Sequence, residues 1–167
     1  FKGGEWRTPR PYQKEAIHIM DKALEGGKRK MLPFMATGTG KTDVIALYLK
    51  RLFDAGIVNR ALFLVDRIPL GVQTKEVFDE ILKDHSSTLL YGGKPKDESE
   101  IVISTLQTLY SQLPSLTSGY FDVIISDEAH RTIFGVYNAV LSHFDAIRIG
   151  LTATPSGYVD RHNYTLF

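Results

Sequence analysis

The chain contains no cysteine among its 167 residues. That absence excludes disulfide bonds, thiolate zinc sites and cysteine nucleophiles, and it is compatible with a cytosolic protein. Long hydrophobic runs are also missing, because the longest ones, such as ALFLV at 61–65, have the length of a strand and cannot span a bilayer. Neither sign of charge dominates: the formal net charge is +1, so nucleic-acid binding cannot be argued from charge balance.

What is present is the composition of an ordinary globular domain. The hydrophobic fraction of 43% and the charged fraction of 23% lie in the usual range. Short continuous apolar runs alternate with segments of helical periodicity, which is typical of a parallel sheet covered on both faces. We therefore predict one three-layer α/β domain over residues 1–167.

The apolar periodicity gives approximate positions for the elements of this domain. Pro33 is unusual within a strand because proline cannot donate a ladder hydrogen bond. Helices are predicted within 11–27, 41–56, 69–82, 105–113 and 135–144, and strands at 30–36, 60–66, 87–91, 100–104, 121–126 and 146–151.

The segment ATGTGKT, at 36–42, lies between a predicted strand and a predicted helix. In parallel sheets ligands bind at such strand–helix turns. Gly38 and Gly40 permit backbone torsions that bring N–H groups close to phosphate oxygens, and the helix that follows adds its positive end. Lys41 is expected to neutralise the β- and γ-phosphates, and the Thr42 hydroxyl to bind magnesium. The alternative, a glycine-rich turn that merely starts a helix, is less favoured in this context.

A second group of polar residues follows the apolar strand at 121–126. Asp127 is placed to hold the same magnesium ion as Thr42, and Glu128 to orient or deprotonate the attacking water. The alternative is a solvated acidic turn. His130 would by itself be a structural histidine, but contact with Thr152 or Thr154 of the LTATP segment would link two neighbouring strands. Pro155 forces Thr154 out of helical torsions and ends that element.

ATGTGKT, DEAH and LTATP, in this order and at these separations, resemble the first motor domain of superfamily-two helicases and translocases. The resemblance implies a RecA-like P-loop domain that binds ATP and Mg²⁺, with Lys41, Asp127, Glu128 and His130 as catalytic residues. It also accounts for Met35 at the position where the full phosphate-loop pattern has glycine, since this superfamily usually lacks that glycine. The implied nucleotide-binding residues are Arg10, Gln13, Thr37, Gly38, Thr39, Gly40, Lys41 and Thr42.

Two further assignments depend on the same resemblance. RPYQKEAI is similar to the adenine-recognition segment, so Gln13 would bond the adenine edge and Arg10 would pack near the base; without the family, Gln13 would be an ordinary surface residue. Arg67 and Thr105 match residues that touch the nucleic-acid backbone. Their alternatives are a surface ion pair for Arg67 and a helix N-cap for Thr105.

The segments VDRIPLGVQ and SDEAHRTIFGVYNAVLSHFDAIRIGLTATP most resemble the motor subunit of type I restriction enzymes. That resemblance implies a bacterial or archaeal cytoplasmic protein that translocates double-stranded DNA. It also implies a second motor domain and a nuclease domain elsewhere in the parent chain, and modification and specificity subunits as partners. No nuclease motif and no membrane association is expected within these residues.

Several alternatives remain open from the sequence. A type III restriction subunit and another DEAH-type DNA or RNA helicase are near neighbours of the type I assignment. An ATP-responsive nucleic-acid-binding module without motor activity belongs to a different class, as does a small-molecule P-loop kinase, although no acceptor pocket or basic lid is recognisable. Because the second domain is expected to supply an arginine, we predict that this segment alone binds ATP–Mg²⁺ weakly, hydrolyses it poorly and does not translocate.

Overall fold

The computed structural model describes residues 8–36, 38–93, 95, 98–127 and 134–152. These residues form a six-stranded sheet in which every strand pair is parallel. The strands are β1 (Lys30–Met31), β2 (Ala61–Val65), β3 (Ser87–Leu90), β4 (Ile101–Thr105), β5 (Val123–Asp127) and β6 (Ile147–Leu151). Their order across the sheet is β1-β6-β5-β2-β4-β3, so the last of these six strands lies between the first and the fifth.

Helices lie between most successive strands, as parallel pairing favours, but β4 follows β3 without a helix among the described residues. None of the helices in the described ranges is long and apolar enough to cross a membrane. The helices are α1 (Pro11–Glu25), α2 (Lys41–Asp54), α3 (Ile68–Ile81), α4 (Leu106–Gln112) and α5 (Phe134–His143), with a short 3-10 helix at Leu113–Ser115.

The sheet has a hydrophobic core on each face, which confirms the predicted three-layer architecture. Successive side chains of a strand point to opposite faces. In β2, Phe63 packs into a core shared with α1, α2 and α3, whereas its neighbours Leu62 and Leu64 pack into a second core with α4 and α5. Because all five residues of β2 are buried, this strand reads in the sequence as a continuous apolar run rather than an alternating one.

Helix α3 approaches the sheet closely at a glycine. A Cβ atom added at Gly71 would lie 2.7 Å from Leu89 Cδ1 and 3.4 Å from Val65 Cγ2. The absence of a side chain there lets the helix backbone pack directly on the sheet, although glycine within a helix costs about 1 kcal/mol relative to alanine.

The first strand is where the sequence-based prediction was wrong. Instead of one strand over 30–36, β1 contains only Lys30–Met31, and the ladder resumes at an isolated bridge between Phe34 and Thr152. The interruption falls at Leu32 and Pro33, and it agrees with the lack of a proline N–H donor. The register relative to β6 is the same on both sides of the interruption, so the chain still runs along β6 to the edge where the glycine-rich loop begins.

Candidate nucleotide-binding site

The glycine-rich loop has the backbone conformation that its sequence predicts. Gly38 has φ of 76° and Gly40 has φ of 74°, both in the left-handed region that side chains disfavour. Helix α2 begins immediately afterwards at Lys41, and the Val44 N–H donates to Gly40 O at 3.0 Å. The N-terminal N–H groups of α2 therefore lie at the end of the loop, where a helix favours an anion.

Within the loop, Thr39 contacts the backbone carbonyl of Ala36. Its Oγ1 donates to Ala36 O at 2.6 Å, and its backbone N–H lies 3.4 Å from the same oxygen. The Thr39 hydroxyl thus closes a turn inside the loop. Thr37, which was also predicted to bind nucleotide, lies outside the described residues.

Met35, at the position where the phosphate-loop pattern has glycine, anchors the beginning of the loop. Its side chain is buried in the core that α1, α2 and α3 share with the sheet. Its N–H donates to Thr152 O at 3.0 Å, in register with the adjacent bridge. An apolar residue here therefore ties the loop to the core and to β6.

The start of helix α1 contacts the loop directly. Gln13 is buried, with 6% of its surface exposed, and its Oε1 accepts from the Arg10 N–H at 2.8 Å. Its Nε2 donates to Thr39 O at 3.2 Å. The alternative that Gln13 is an ordinary surface residue is therefore wrong, while adenine recognition by Gln13 and Arg10 stays a prediction.

Tyr12 is a contact that the sequence did not reveal. Its hydroxyl donates to Thr39 O at 3.0 Å and accepts from Arg10 Nη1 at 3.3 Å. Arg10, Tyr12 and Gln13 therefore form one connected group around a single carbonyl of the loop. The only sequence signal was the position of Tyr12 within RPYQKEAI, next to the glutamine already selected.

The carboxylate strand reaches the same edge of the sheet as the loop. Asp127 is the last residue of β5, is half-buried, and pairs in register with Leu151 of β6. The next residue of that strand, Thr152, is buried and bridges Phe34 just before the loop. Since neighbouring strands lie about 4.8 Å apart, the backbones at Asp127 and Phe34 are separated by two such spacings, roughly 10 Å.

The pairing along β6 therefore brings the glycine-rich loop and Asp127 to the same edge of the sheet. Asp127 and the loop that leads to Lys41 and Thr42 lie on either side of the β6 terminus. A side chain from each could reach a ligand between them. Glu128, His130 and Thr154 lie outside the described residues, so the roles of these three as base and relay stay predictions.

The two nucleic-acid candidates lie at the carboxyl ends of neighbouring strands: Arg67 follows β2, and Thr105 is the last residue of β4, where it pairs with Val65. Arg67 has a side chain 68% exposed, and its Nε lies 3.9 Å from Asp66 Oδ2. Thr105 is buried. Its Oγ1 accepts a hydrogen bond from the Thr108 N–H at 3.3 Å and donates one to Thr108 Oγ1 at 3.0 Å. Thr105 is thus the N-cap of α4, and Arg67 forms an exposed ion pair with Asp66, so the alternatives for both residues are observed. Contact of either residue with nucleic acid stays a prediction.

Comparison with known proteins places this arrangement in a family. Residues 7–157 match the ResIII family, described as type III restriction enzyme, res subunit. The chain belongs to the ResIII family. This membership confirms the resemblance to restriction-enzyme motor subunits and helicases that the three motifs predicted.

Individual relatives are also restriction-enzyme subunits. The chain is 33% identical to the EcoKI type I restriction enzyme endonuclease subunit of Escherichia coli K12, over 88% of this chain and 15% of the relative. It is 28% identical to a fragment described as an HsdR subunit of a type I restriction enzyme from Vibrio vulnificus YJ016, with a TM-score of 0.76 over 98% of this chain and 30% of that one. The chain therefore spans less than a third of each.

A further structural neighbour supports the fold alone. The SWI2/SNF2 ATPase core of Sulfolobus solfataricus, solved in complex with double-stranded DNA, has a TM-score of 0.80 at 19% identity, covering 96% of this chain and 36% of that chain. Together with the parallel sheet and the loop between β1 and α2, this likeness confirms the predicted RecA-like P-loop fold. The family is one of ATP-dependent helicases and restriction-enzyme subunits.

Proposed function

We propose that this chain is the ATP-binding domain of a DNA-dependent ATPase, the motor of a type I restriction subunit. The observation that supports the proposal most directly is the register of β6. Its terminus pairs with Asp127 on one side and bridges Phe34, before the loop, on the other. A nucleotide between these elements would meet a lysine, a hydroxyl and a carboxylate together.

One side of the glycine-rich loop is open at Gly38. A Cβ atom placed at Gly38 meets no heavy atom within 4 Å, so the space beside this residue is open. In the proposed complex Lys41 binds the β- and γ-phosphates, and Thr42 and Asp127 hold Mg²⁺. The metal would neutralise charge that develops on the phosphates during hydrolysis. Glu128 would orient the attacking water.

DNA would cross the carboxyl ends of β2 and β4. Of the two candidates, Arg67 is the better placed to bind a phosphate, because its guanidinium is exposed whereas Thr105 already caps a helix. We expect Arg67 to contact DNA and Thr105 to support the backbone around it. The same proposal includes a second motor domain and a nuclease domain in the parent chain. It also includes modification and specificity subunits as partners and a cytoplasmic location.

The decisive experiment measures ATP hydrolysis by the full-length parent subunit with double-stranded DNA, with RNA, and without nucleic acid. Lys41→Ala and Asp127→Asn should each lower the DNA-stimulated rate by about 10²-fold or more, since each removes a charge that acts on the reacting phosphates. Lys50→Ala is the matched control: Lys50 lies on the same helix, but its ammonium pairs with Asp54 at 3.2 Å.

Each alternative predicts a different result. Stimulation by RNA and not by DNA would indicate an RNA helicase, and phosphate transfer to a metabolite would indicate a kinase. If Glu128→Gln abolished hydrolysis but left the biological activity of the intact protein unchanged, the binding-module alternative would be correct. Undiminished hydrolysis by Lys41→Ala would refute the proposal.

The isolated domain should be a poor enzyme. The arginine that a second motor domain would supply is typically worth about 10³–10⁵ in rate. We therefore expect weak ATP–Mg²⁺ binding, slow hydrolysis and no translocation by residues 1–167 alone. Robust DNA-stimulated turnover by this segment would contradict the requirement for a second domain.

A further inference from the structure

We propose that the Tyr12 hydroxyl is a positioning residue for phosphate binding: it fixes the orientation of the peptide between Thr39 and Gly40. The inference rests on the proposed function, since it concerns how the same loop holds a nucleotide. It assigns to Tyr12 a role that differs from base recognition, although Tyr12 lies next to the residue predicted to bind adenine.

Two side chains of α1 hold one carbonyl of the loop. Tyr12 Oη and Gln13 Nε2 both donate to Thr39 O, at 3.0 and 3.2 Å. A carbonyl oxygen has two lone pairs, so both bonds can form at once. Because the donors come from adjacent residues of a helix, the carbonyl is drawn towards α1 in a defined direction.

Peptide planarity transmits that direction to the next residue. In a trans peptide the C=O of one residue and the N–H of the next point in opposite directions. With Thr39 O directed at α1, the Gly40 N–H is directed away from it, to the other side of the loop. The structure contains no cis peptide among its described residues, so this geometry holds at Thr39–Gly40. We infer that the Gly40 N–H is thereby aimed at a bound phosphate.

The contact between α1 and the loop leaves no room for a side chain at Gly40. A Cβ atom there would lie 2.9 Å from Gln13 Nε2 and 3.0 Å from Asp43 Oδ2. The Gln13 amide and the Tyr12 hydroxyl are both engaged with Thr39 O and with Arg10, but only Gln13 is also predicted to bind adenine. Loss of the Tyr12 hydroxyl should therefore lower the affinity for the phosphates. Loss of the Gln13 amide should lower the affinity for the base as well as for the phosphates.

The test compares ligands with and without a base. Dissociation constants of ATP, ADP and inorganic tripolyphosphate, each with Mg²⁺, are measured for the full-length protein and for Tyr12→Phe. We expect all three to weaken by a similar factor, about threefold to tenfold, as for one lost hydrogen bond. The KM for ATP should rise by the same factor while kcat changes little, because the contact exists before and during reaction.

Two variants make the result interpretable. Tyr110→Phe removes the hydroxyl of another exposed tyrosine, on α4, and should leave all three constants unchanged. Gln13→Ala should weaken ATP and ADP more than tripolyphosphate. Thermal unfolding of Tyr12→Phe should match the wild type within a few degrees, since Tyr12 is 39% exposed.

The outcomes separate this inference from the proposed function. A Tyr12→Phe protein that loses affinity for ATP but not for tripolyphosphate would show that Tyr12 contacts the base, and would overturn the inference alone. Unchanged affinities for all three ligands would overturn it as well. A wild-type protein that binds none of the ligands would refute the proposed function, and this inference with it.

Discussion

Alanine substitutions at the two loop glycines should have unequal effects, although both residues share one backbone conformation. Gly38 and Gly40 have φ of 76° and 74°, so alanine at either position carries the left-handed penalty of about 1–2 kcal/mol. The space around them differs. A Cβ atom at Gly38 has no neighbour within 4 Å, whereas one at Gly40 lies 2.9 Å from Gln13 Nε2.

The collision at Gly40 adds a further cost because Gln13 is not free to move. Its side chain is buried and makes two hydrogen bonds, to the Arg10 N–H and to Thr39 O. Displacement of the amide would lose both, at about 1 kcal/mol each. We therefore expect Gly38→Ala to destabilise the fold by about 1–2 kcal/mol and Gly40→Ala by about 3–4 kcal/mol.

Urea unfolding of the two variants measures this difference, and Gly56→Ala calibrates it. Gly56 follows α2, has φ of 68°, and its Cβ position is also open, so it reports the backbone penalty at a site remote from the loop. ATP affinity should fall most in Gly40→Ala and stay unchanged in Gly56→Ala. Equal destabilisation by Gly38→Ala and Gly40→Ala would refute the argument that α1 packs against the loop at Gly40.

Three further predictions concern stability alone. The Tyr48 hydroxyl is buried with no hydrogen-bond partner among the described residues, and burial raises its pKa to about 12; Tyr48→Phe should stabilise the fold by about 1 kcal/mol in urea unfolding, and a loss of stability would reveal a partner. Burial alone would raise the pKa of Asp79, but hydrogen bonds from Lys75 and Ser87 lower it overall. Stabilisation from a lowered pKa is present above the unfolded value near 3.9 and is lost as pH falls through the folded value, so Asp79→Asn should cost about 0.5 kcal/mol at pH 7 and progressively less as the pH falls below 3.9; a cost that does not change with pH would contradict this. Asp122 Oδ2 accepts from the Asn59 and Arg60 N–H groups, both at 2.9 Å; Asp122→Ala should cost about 2 kcal/mol without changing ATP affinity, and an ATP effect would show coupling to the site.

The architecture was predictable because the central strands β2, β4 and β5 are buried on both faces. A strand such as β2 must be apolar at every position, and this requirement leaves a short unbroken run in the sequence. The torsions at Gly38 and Gly40 were predictable for a similar reason, since few residues other than glycine adopt them. Each of these features follows from a local constraint that a few neighbouring residues can express.

Features that depend on distant residues were not predictable in this way. The order of strands is set by pairing across the sheet, and nothing within residues 147–151 indicates that they lie between β1 and β5. The contact between Tyr12 and Thr39 joins residues 27 positions apart through a carbonyl that has no sequence signature. The break in β1 was signalled by Pro33, but the return to register at Phe34 required the partner strand.

The position of β6 has a consequence for when the proposed nucleotide site forms during synthesis. Strand β6 joins β1 to the other strands of the sheet, and it is the last of the six described strands to be synthesised. Until residues 147–152 emerge, β1 lacks its hydrogen-bonded neighbour, and the glycine-rich loop and Asp127 have no common support. A nascent chain should therefore gain nucleotide affinity abruptly and late, and truncation within β6 should abolish it while most of the hydrophobic core is already encoded.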